Sequence, residues 1–476
     1  MSVTKKRLMF TKVNCKTINR IGKNSHAVVI GAGMSGLLAS RVLLEHFDCV
    51  TIIERDRLPQ QPETRRGVPQ ANHVHTLLLQ GQQILEQLFP GIEAELTTGG
   101  APSVDWSSEY YFLNVWGWAS LSPSDLITRS CSRNFLECLV RKRLSSYTNL
   151  KFITATQVRG LVSDESNSKI TGVQISSHKE SEEQLAADLV VDASGRNSLL
   201  PKWLEKIGYQ APRQTVINSF GGYSTCWYEV PENYQADWKG IVVATKPPQD
   251  KRGGFLCLVE GNRWAATAIG TAKDYPPTDQ DGFMEFLRSL RTPLIYEAIK
   301  DARPISPVYG YRRMENSWNH YEKLSKLPEG LIAIGDAVCA FNPHYGQGMT
   351  VSALGALTLD LCLREQLQRS PDSLRGLTKR FQSKLAKRLK NPWLMTTSED
   401  CRWETTKGRQ INILTKLMHG YMDQILLLSV KDAKIYKKFL EVVLMVKAPQ
   451  SLFAPNILAK VLMHSLDSST VPQQTK

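Results

Sequence analysis

The chain has 476 residues and a mass of 53.5 kDa, with 42% hydrophobic and 22% charged residues. That is the composition of a globular protein of two or three domains and excludes a disordered, collagenous or coiled-coil chain. The net charge of +14 sits at the two ends: residues 1–24 carry seven Lys/Arg and no acid, residues 375–476 carry 18 against seven, and 25–374 is left at −4. With no nucleic-acid motif in the body, this distribution excludes a nucleic-acid partner and marks the basicity as a property of appendages. No apolar run reaches the ~18 residues of a membrane span. Nine cysteines, an odd number with no C-x-x-C pair, read as reduced thiols of a cytoplasmic protein and not as disulfides or a zinc site. The N-terminus lacks the apolar core of a secretory signal, so 1–24 is expected to be a basic disordered tail.

In chain order, His26–Ile30 is a short β-branched run, Gly31-Ala32-Gly33-Met34-Ser35-Gly36 follows, 37–45 has helical spacing, and the apolar run 49–53 ends in Glu54. Strand, G-x-G-x-x-G, helix, strand and acid in register are a dinucleotide-binding unit. Gly31 permits the tight turn, Gly33 lets the backbone approach a pyrophosphate, and Gly36 allows close helix–strand packing. The helix N-terminus offers N–H groups to the phosphates, and Glu54 can accept from a ribose diol. The unit by itself leaves flavin and nicotinamide dinucleotides equally open.

Next come Arg65-Arg66-Gly67-Val68-Pro69-Gln70 and His73-x-His75, before a helix expected over 76–89. Two histidines without a third ligand do not make a metal site. Residues 100–120 are dense in aromatics, among them Phe112, Trp116 and Trp118. Arg133 opens a helix running to about Leu144, where Glu137 and Arg141 are an i,i+4 pair. A buried strand ends at Asp192 and leads into Ala-Ser-Gly-Arg196. Strands are expected at 216–220, 225–230 and 240–244, then a hairpin of 254–259 and 264–269 with Gly261 and Asn262 at its turn. Leu331–Ile334 reads as a strand leading to Gly335-Asp336, followed by Asn342-Pro343-His344-Tyr345-Gly346-Gln347-Gly348-Met349 and a helix. The C-terminal region reads as a basic helix from Leu374 to about Lys390, ended by Asn391-Pro392, then helices near 411–429, 431–446 and 456–466.

Gly335-Asp336 and Pro343-x-x-Gly346-x-Gly348, taken with G-x-G-x-x-G, Arg133 and Asp192-Ala-Ser-Gly, resemble the FAD-dependent aromatic hydroxylases and related epoxidases. These segments span 26–357. The Gly-Val-Pro-Gln and His-x-His segment is similar to a branch containing polyether-type epoxidases; the family's usual His after the Asp is Cys339 here. The resemblance implies an α/β fold: a Rossmann-like FAD-binding domain of the aromatic-hydroxylase type, an interposed and mostly antiparallel substrate sheet, and a helical C-terminal extension. The implied divisions are FAD-binding parts at 25–100, 126–210 and 306–370, a substrate-side insertion at 101–125, a substrate sheet at 211–305, and the extension at 371–476.

Asp336 would hold the ribityl chain, and Gly346, Gly348 and Met349 would offer N–H groups to the flavin. Arg66, Arg133 and Asp192 would lie at the cofactor, Arg196 near it, and Ala32, Ser35, Arg55 and Val158 would add contacts. Phe112, Trp227, Phe255 and Pro343 would face the substrate. The implied reaction is monooxygenation by way of a flavin C4a-hydroperoxide: O2 and NAD(P)H epoxidise an alkene or hydroxylate an aromatic ring of a lipophilic small molecule, with no metal. A separate flavin reductase could supply the electrons. The alternatives are a prenyl-chain reductase or desaturase of the geranylgeranyl reductase type and a non-catalytic lipid carrier. The run Trp116-Gly117-Trp118 suggests the halogenase motif W-x-W-x-I-P but lacks its Ile-Pro and stands upstream of the Asp-Ala-Ser-Gly segment, which argues against halogenation. The basic C-terminal helices could dock on an anionic membrane surface.

Overall fold

A computed structural model describes residues 21–177 and 182–469. Most of the expected N-terminal tail, and the chain beyond 469, lie outside the described residues. Ile21 is already buried and donates its N–H to the His46 carbonyl (3.0 Å), so the packed body begins before residue 25.

His26–Ile30 (β1), Met34–His46 (α1) and Cys49–Ile53 (β2) form the first unit. β1 is central in a five-stranded sheet ordered Leu331–Ala333, Leu189–Asp192, β1, β2, Leu150–Ile153, all parallel. Covered on both faces, it reads as an unbroken apolar run in which Ala27, Val28 and Val29 expose nothing. α1 packs between this sheet and the long helix Gly348–Arg369. Parallel strands end on one edge, so Ile30, Ile53, Asp192 and Ala333 share the edge where ligands of open α/β sheets bind.

The second sheet has six strands, ordered Tyr309–Tyr311, Gly222–Glu229, Arg263–Gly270, Arg252–Val259, Gly240–Val243, Tyr110–Leu113. All its pairs are antiparallel except the last, where Tyr110–Leu113 joins in parallel. The hairpin falls where the turn chemistry predicts, with Gly261 at φ +72° and Asn262 at φ +51°. The strand expected at 216–220 belongs elsewhere. Gln214–Ile217 pairs with Asn316–Asn319, and that strand with Cys339–Ala340, in a separate three-stranded sheet.

Two helix ends differ from expectation. The helix expected from Thr76 begins at Leu79, and residue 78 is extended, because the preceding segment runs along the six-stranded sheet, where His73 bonds Thr225 (2.9 Å). Asn391-Pro392 does not end the basic helix, which runs Leu377–Asp400. Proline costs a helix one donor and a steric clash. Here Leu389, Pro392, Thr396 and Asp400 form one buried stripe, and Thr396 Oγ1 donates to the Pro392 carbonyl (3.2 Å); burial outweighs propensity. Helices Ile413–Ser429, Ala433–Val443 and Pro455–Ser469 complete the described residues. No helix among the described residues is long and apolar enough to cross a membrane.

Candidate functional site

Between the carboxyl edge of the parallel sheet and one face of the six-stranded sheet lies a cavity of about 740 Å³, the size of a cofactor or small-molecule site. The parallel-sheet side contributes Gly31, Gly33, Ser35, Glu54, Arg55, Arg66, Arg133, Val158, Arg196 and Asp336. The loop 343–349 adds Pro343, Gly346, Gly348 and Met349, and the six-stranded sheet adds Tyr223, Phe255, Thr267, Ile269 and Tyr311.

Three residues expected at the cofactor act from behind the wall. The Ala32 N–H donates to Glu54 Oε2 (2.8 Å). A Cβ on Gly36 would stand 1.9 Å from the Gly31 carbonyl oxygen, so this glycine serves packing. Asp192 is fully buried and accepts from the Ser194 N–H (3.0 Å) and from the Ser194 and Ser198 hydroxyls, fixing the turn after its strand. Burial pushes its carboxyl up, against these hydrogen bonds.

Two expected substrate contacts also lie outside the cavity. Phe112 is stacked on Tyr436 and Phe439 of the C-terminal helices, with ring centroids 6.2 and 6.3 Å apart. Trp227 shares a strand face with Tyr223, but its Nε1 donates to the Asn72 carbonyl (2.8 Å), so the turn 69–72 covers it. Trp116 and Trp118 are surface residues, 49% and 39% exposed.

A charge cluster in and behind the cavity wall is not legible in the sequence. Buried Glu137 receives Arg65 Nε (3.1 Å), Arg133 Nη2 (2.9 Å) and Arg141 Nη1 (3.1 Å). Arg65 also pairs with Glu54 and Asp56, both at 3.1 Å, and donates to the Ala32 carbonyl (3.1 Å). Burial alone would raise the Glu137 carboxyl, but Arg133, Arg65 and Arg141 outweigh it and hold it below the usual range. The expectation for Arg133 joins two roles: it lines the cavity and is also an i,i+4 partner of Glu137. The run Arg65-Arg66 is visible in sequence, but only the fold turns Arg65 inward to the acids.

Arg196 bridges two distant segments. Its guanidinium donates to the Glu315 carbonyl (2.8 Å) and the Phe341 carbonyl, and stands 3.7 Å from Asp336 Oδ2. Burial pushes the Asp336 carboxyl up, with Arg196 and then Arg133 opposing. Three cavity-lining imidazoles are neutral at ordinary pH. Burial lowers His73 to about 3 and His344 to about 4; burial and then Arg133 lower His75 to about 4. His73 bonds Thr225, and His75 Nδ1 lies 3.0 Å from the His73 carbonyl, so the pair orders a loop. Elsewhere Glu45, His46 and Asp360 come together, where Arg41 and Arg364 neutralise the two carboxylates.

Residues 24–375 match the family model described as "FAD binding domain". The chain belongs to the FAD binding domain family. It is a flavin-dependent oxidoreductase, and its cofactor is FAD. Protein Rv3254 of Mycobacterium tuberculosis is 29% identical over 462 residues, covering 94% of this chain and 95% of that protein. The flavin-dependent brominase Bmp2 superposes with a TM-score of 0.67 at 11% identity, covering 94% of this chain and all of that one. The probable FAD-dependent monooxygenase pqsL of Pseudomonas aeruginosa superposes at 0.57 and 16% identity, covering 87% and 99%. At such identities the likeness shows the fold, shared by enzymes that brominate and enzymes of the monooxygenase type.

The chemistry of the cavity lining suits FAD. Gly33, Gly195 and Gly348 line the cavity, and a Cβ on any of them would meet no atom within 4 Å, so the backbone there is open to close approach by a ligand. Glu54 is held by Ala32 N–H, Arg65 and Asp56 N–H. These use about three of its four acceptor positions and leave about one for a ribose hydroxyl. Arg55, Arg66 and Arg159 supply cations at the same wall.

Proposed function

We propose that this protein is an FAD-dependent monooxygenase that transfers one atom of O2 to a lipophilic small molecule, with NAD(P)H as reductant. The observation that carries the reading is the joining, in one cavity, of the cofactor residues to a wall of Tyr223, Phe255, Ile269, Tyr311, Phe341 and Pro343. That wall offers apolar contact and neutral groups, since burial raises the Tyr223 and Tyr311 phenols and keeps the nearby imidazoles uncharged. Bound FAD supplies the activation of O2. The chain supplies orientation, a dry pocket and fixed dipoles. Asp336, Gly346, Gly348 and Met349 hold the cofactor's inner end in this reading, and Glu54, Gly31 and Gly33 its nucleotide end. Phe255 and Pro343 contact substrate. The imidazoles of the cavity, lowered to about 3 to 4, are weak bases, which suits epoxidation of an alkene better than hydroxylation of a phenol, which gains from a base at the ring hydroxyl. The test is whether an atom of O2 reaches an organic product.

The protein works in the cytoplasm and at the surface of a membrane in this proposal. Ser398 bonds His419 (2.9 Å) and Arg402 pairs with Asp423 (3.1 Å). Near these contacts Leu394 (63% exposed) on one helix and Ile413, Leu414 and Leu417 (79%, 68% and 65%) on the next leave large apolar side chains open to solvent. Exposed Lys387, Lys390 and Lys416 lie on the same stretches. Exposed apolar side chains with cations on the same helices suit an anionic bilayer surface. The wild-type protein is expected to sediment with vesicles containing an anionic phospholipid and not with neutral ones, and Leu414→Asp/Leu417→Asp to stay in the supernatant. Equal sedimentation of the two proteins would exclude this surface.

A further inference from the structure

The carboxylate of Asp400 ends the helix Leu377–Asp400, well outside the sequence that carries the cofactor motifs, yet it is 2% exposed and points at the loop leading to Gly346. Every contact it makes is with a donor. Asn316 Nδ2 donates to Oδ2 (2.6 Å), Asn342 Nδ2 to both oxygens (3.0 and 3.1 Å), and the Tyr345 hydroxyl to Oδ1 (3.0 Å). The donors are themselves knitted together. The Asn342 N–H donates to Asn316 Oδ1 (2.7 Å), and Asn342 Oδ1 accepts from the His344 N–H (3.1 Å), capping the turn Pro343–Tyr345. That turn ends at Gly346 in the left-handed region (φ +66°), immediately before the helix starting at Gly348. His344 is stacked on Tyr345, with centroids 5.2 Å apart, and lines the cavity.

We propose that Asp400 is a positioning residue for the cofactor: through Asn342 and Tyr345 it sets the loop that presents Gly346, Gly348 and Met349, making the C-terminal extension part of the FAD site. The inference rests on reading 346–349 as flavin-contacting. A carboxylate suits the task because it only accepts, and three side chains converge on it as donors. An amide in its place would turn an N–H2 toward at least one of those donors, leaving buried polar groups opposed. Burial raises this carboxyl to about 6, with Asn342, Tyr345, Ser219 and Asn316 opposing. Below that value it gains a proton that would point at a donor, and the loop loses its anchor. The charged and titratable groups nearby are Glu399, Cys401 and Arg402 at its own helix end, His344 and Tyr345 on the loop, and His419 and Asp423 on the following helix.

The experiment titrates FAD into the full-length apoprotein, wild type against Asp400→Asn, by flavin fluorescence between pH 5 and 8, with apoprotein thermal stability measured alongside. The expected result is an FAD Kd raised about 10- to 100-fold at pH 7.5 in the variant, the scale of one buried polar mismatch. Wild-type affinity should weaken as pH falls through about 6, and that dependence should be flattened in the variant. Tyr345→Phe removes one donor and keeps the ring; it should raise Kd severalfold, and it carries the test if Asp400→Asn fails to fold. Wild-type FAD binding with both variants within twofold of it would overturn the proposal while sparing the cofactor reading. Absence of FAD binding by the wild type would overturn both.

Discussion

Glu137→Gln should lower the unfolding free energy at pH 7 by about 3–5 kcal/mol, the cost of removing one partner from a buried ion cluster. The wild-type cluster is balanced: Arg65, Arg133 and Arg141 face Glu54, Asp56 and Glu137. The amide leaves one positive charge uncompensated in a region where Glu137 is 4% exposed and Arg65 and Arg133 are buried. Urea unfolding of the apoprotein reads the difference. Its pH dependence has a definite sign. The folded-state pKa of Glu137 is held below its ordinary value, so its contribution is fully present above the ordinary carboxylate range and is lost as pH falls through the folded value. The gap between wild type and variant should therefore narrow in acid. A gap under 1 kcal/mol at pH 7 would mean that the cluster relaxes into solvent.

Two glycines of one motif should fail in opposite ways. Gly33 has φ −75° and ψ 177°, a conformation open to any residue, and a Cβ there meets nothing within 4 Å. Gly33→Leu should fold with near wild-type thermal stability and lose FAD affinity at least about 100-fold, because its side chain enters space that the cofactor needs. Gly36 does not line the cavity, and its Cβ would strike the Gly31 carbonyl at 1.9 Å. Gly36→Ala should destabilise the fold itself, by an amount on the scale of severe overpacking, about 1–3 kcal/mol or more. Apoprotein melting and FAD titration, run on both variants, separate the effects. Retention of wild-type FAD affinity by Gly33→Leu would remove the pyrophosphate from this turn.

Where local geometry dictates residue type, the site was legible. The β1–α1–β2 unit follows from Gly31 and its neighbours, since a turn at φ +100° needs glycine and both covered faces of β1 need apolar residues. Asp336, Gly346 and Gly348 reach the cavity for similarly local reasons. Illegible were contacts decided by what packs on top. Trp227 and Tyr223 lie on one strand face, four residues apart, and period-two reasoning treats them alike; the turn 69–72 covers only the former. Phe112 is aromatic on an edge strand, and the C-terminal helices, hundreds of residues away in sequence, claim it. Asp400 carries no local signal because its donors come from residues 316, 342 and 345. The same long-range burial carries the helix through Pro392.

The most direct measurement of the central claim is isotopic. Cells with and without the protein are grown under ¹⁸O2, and their organic extracts are compared by mass spectrometry. The account predicts a product present only with the protein, carrying one oxygen atom more than its precursor, with that atom labelled from ¹⁸O2 and absent in cells expressing Gly33→Leu. A protein-dependent product that forms equally without O2, or whose new atoms carry no label, would contradict monooxygenation and point to reduction or desaturation on the same flavin fold.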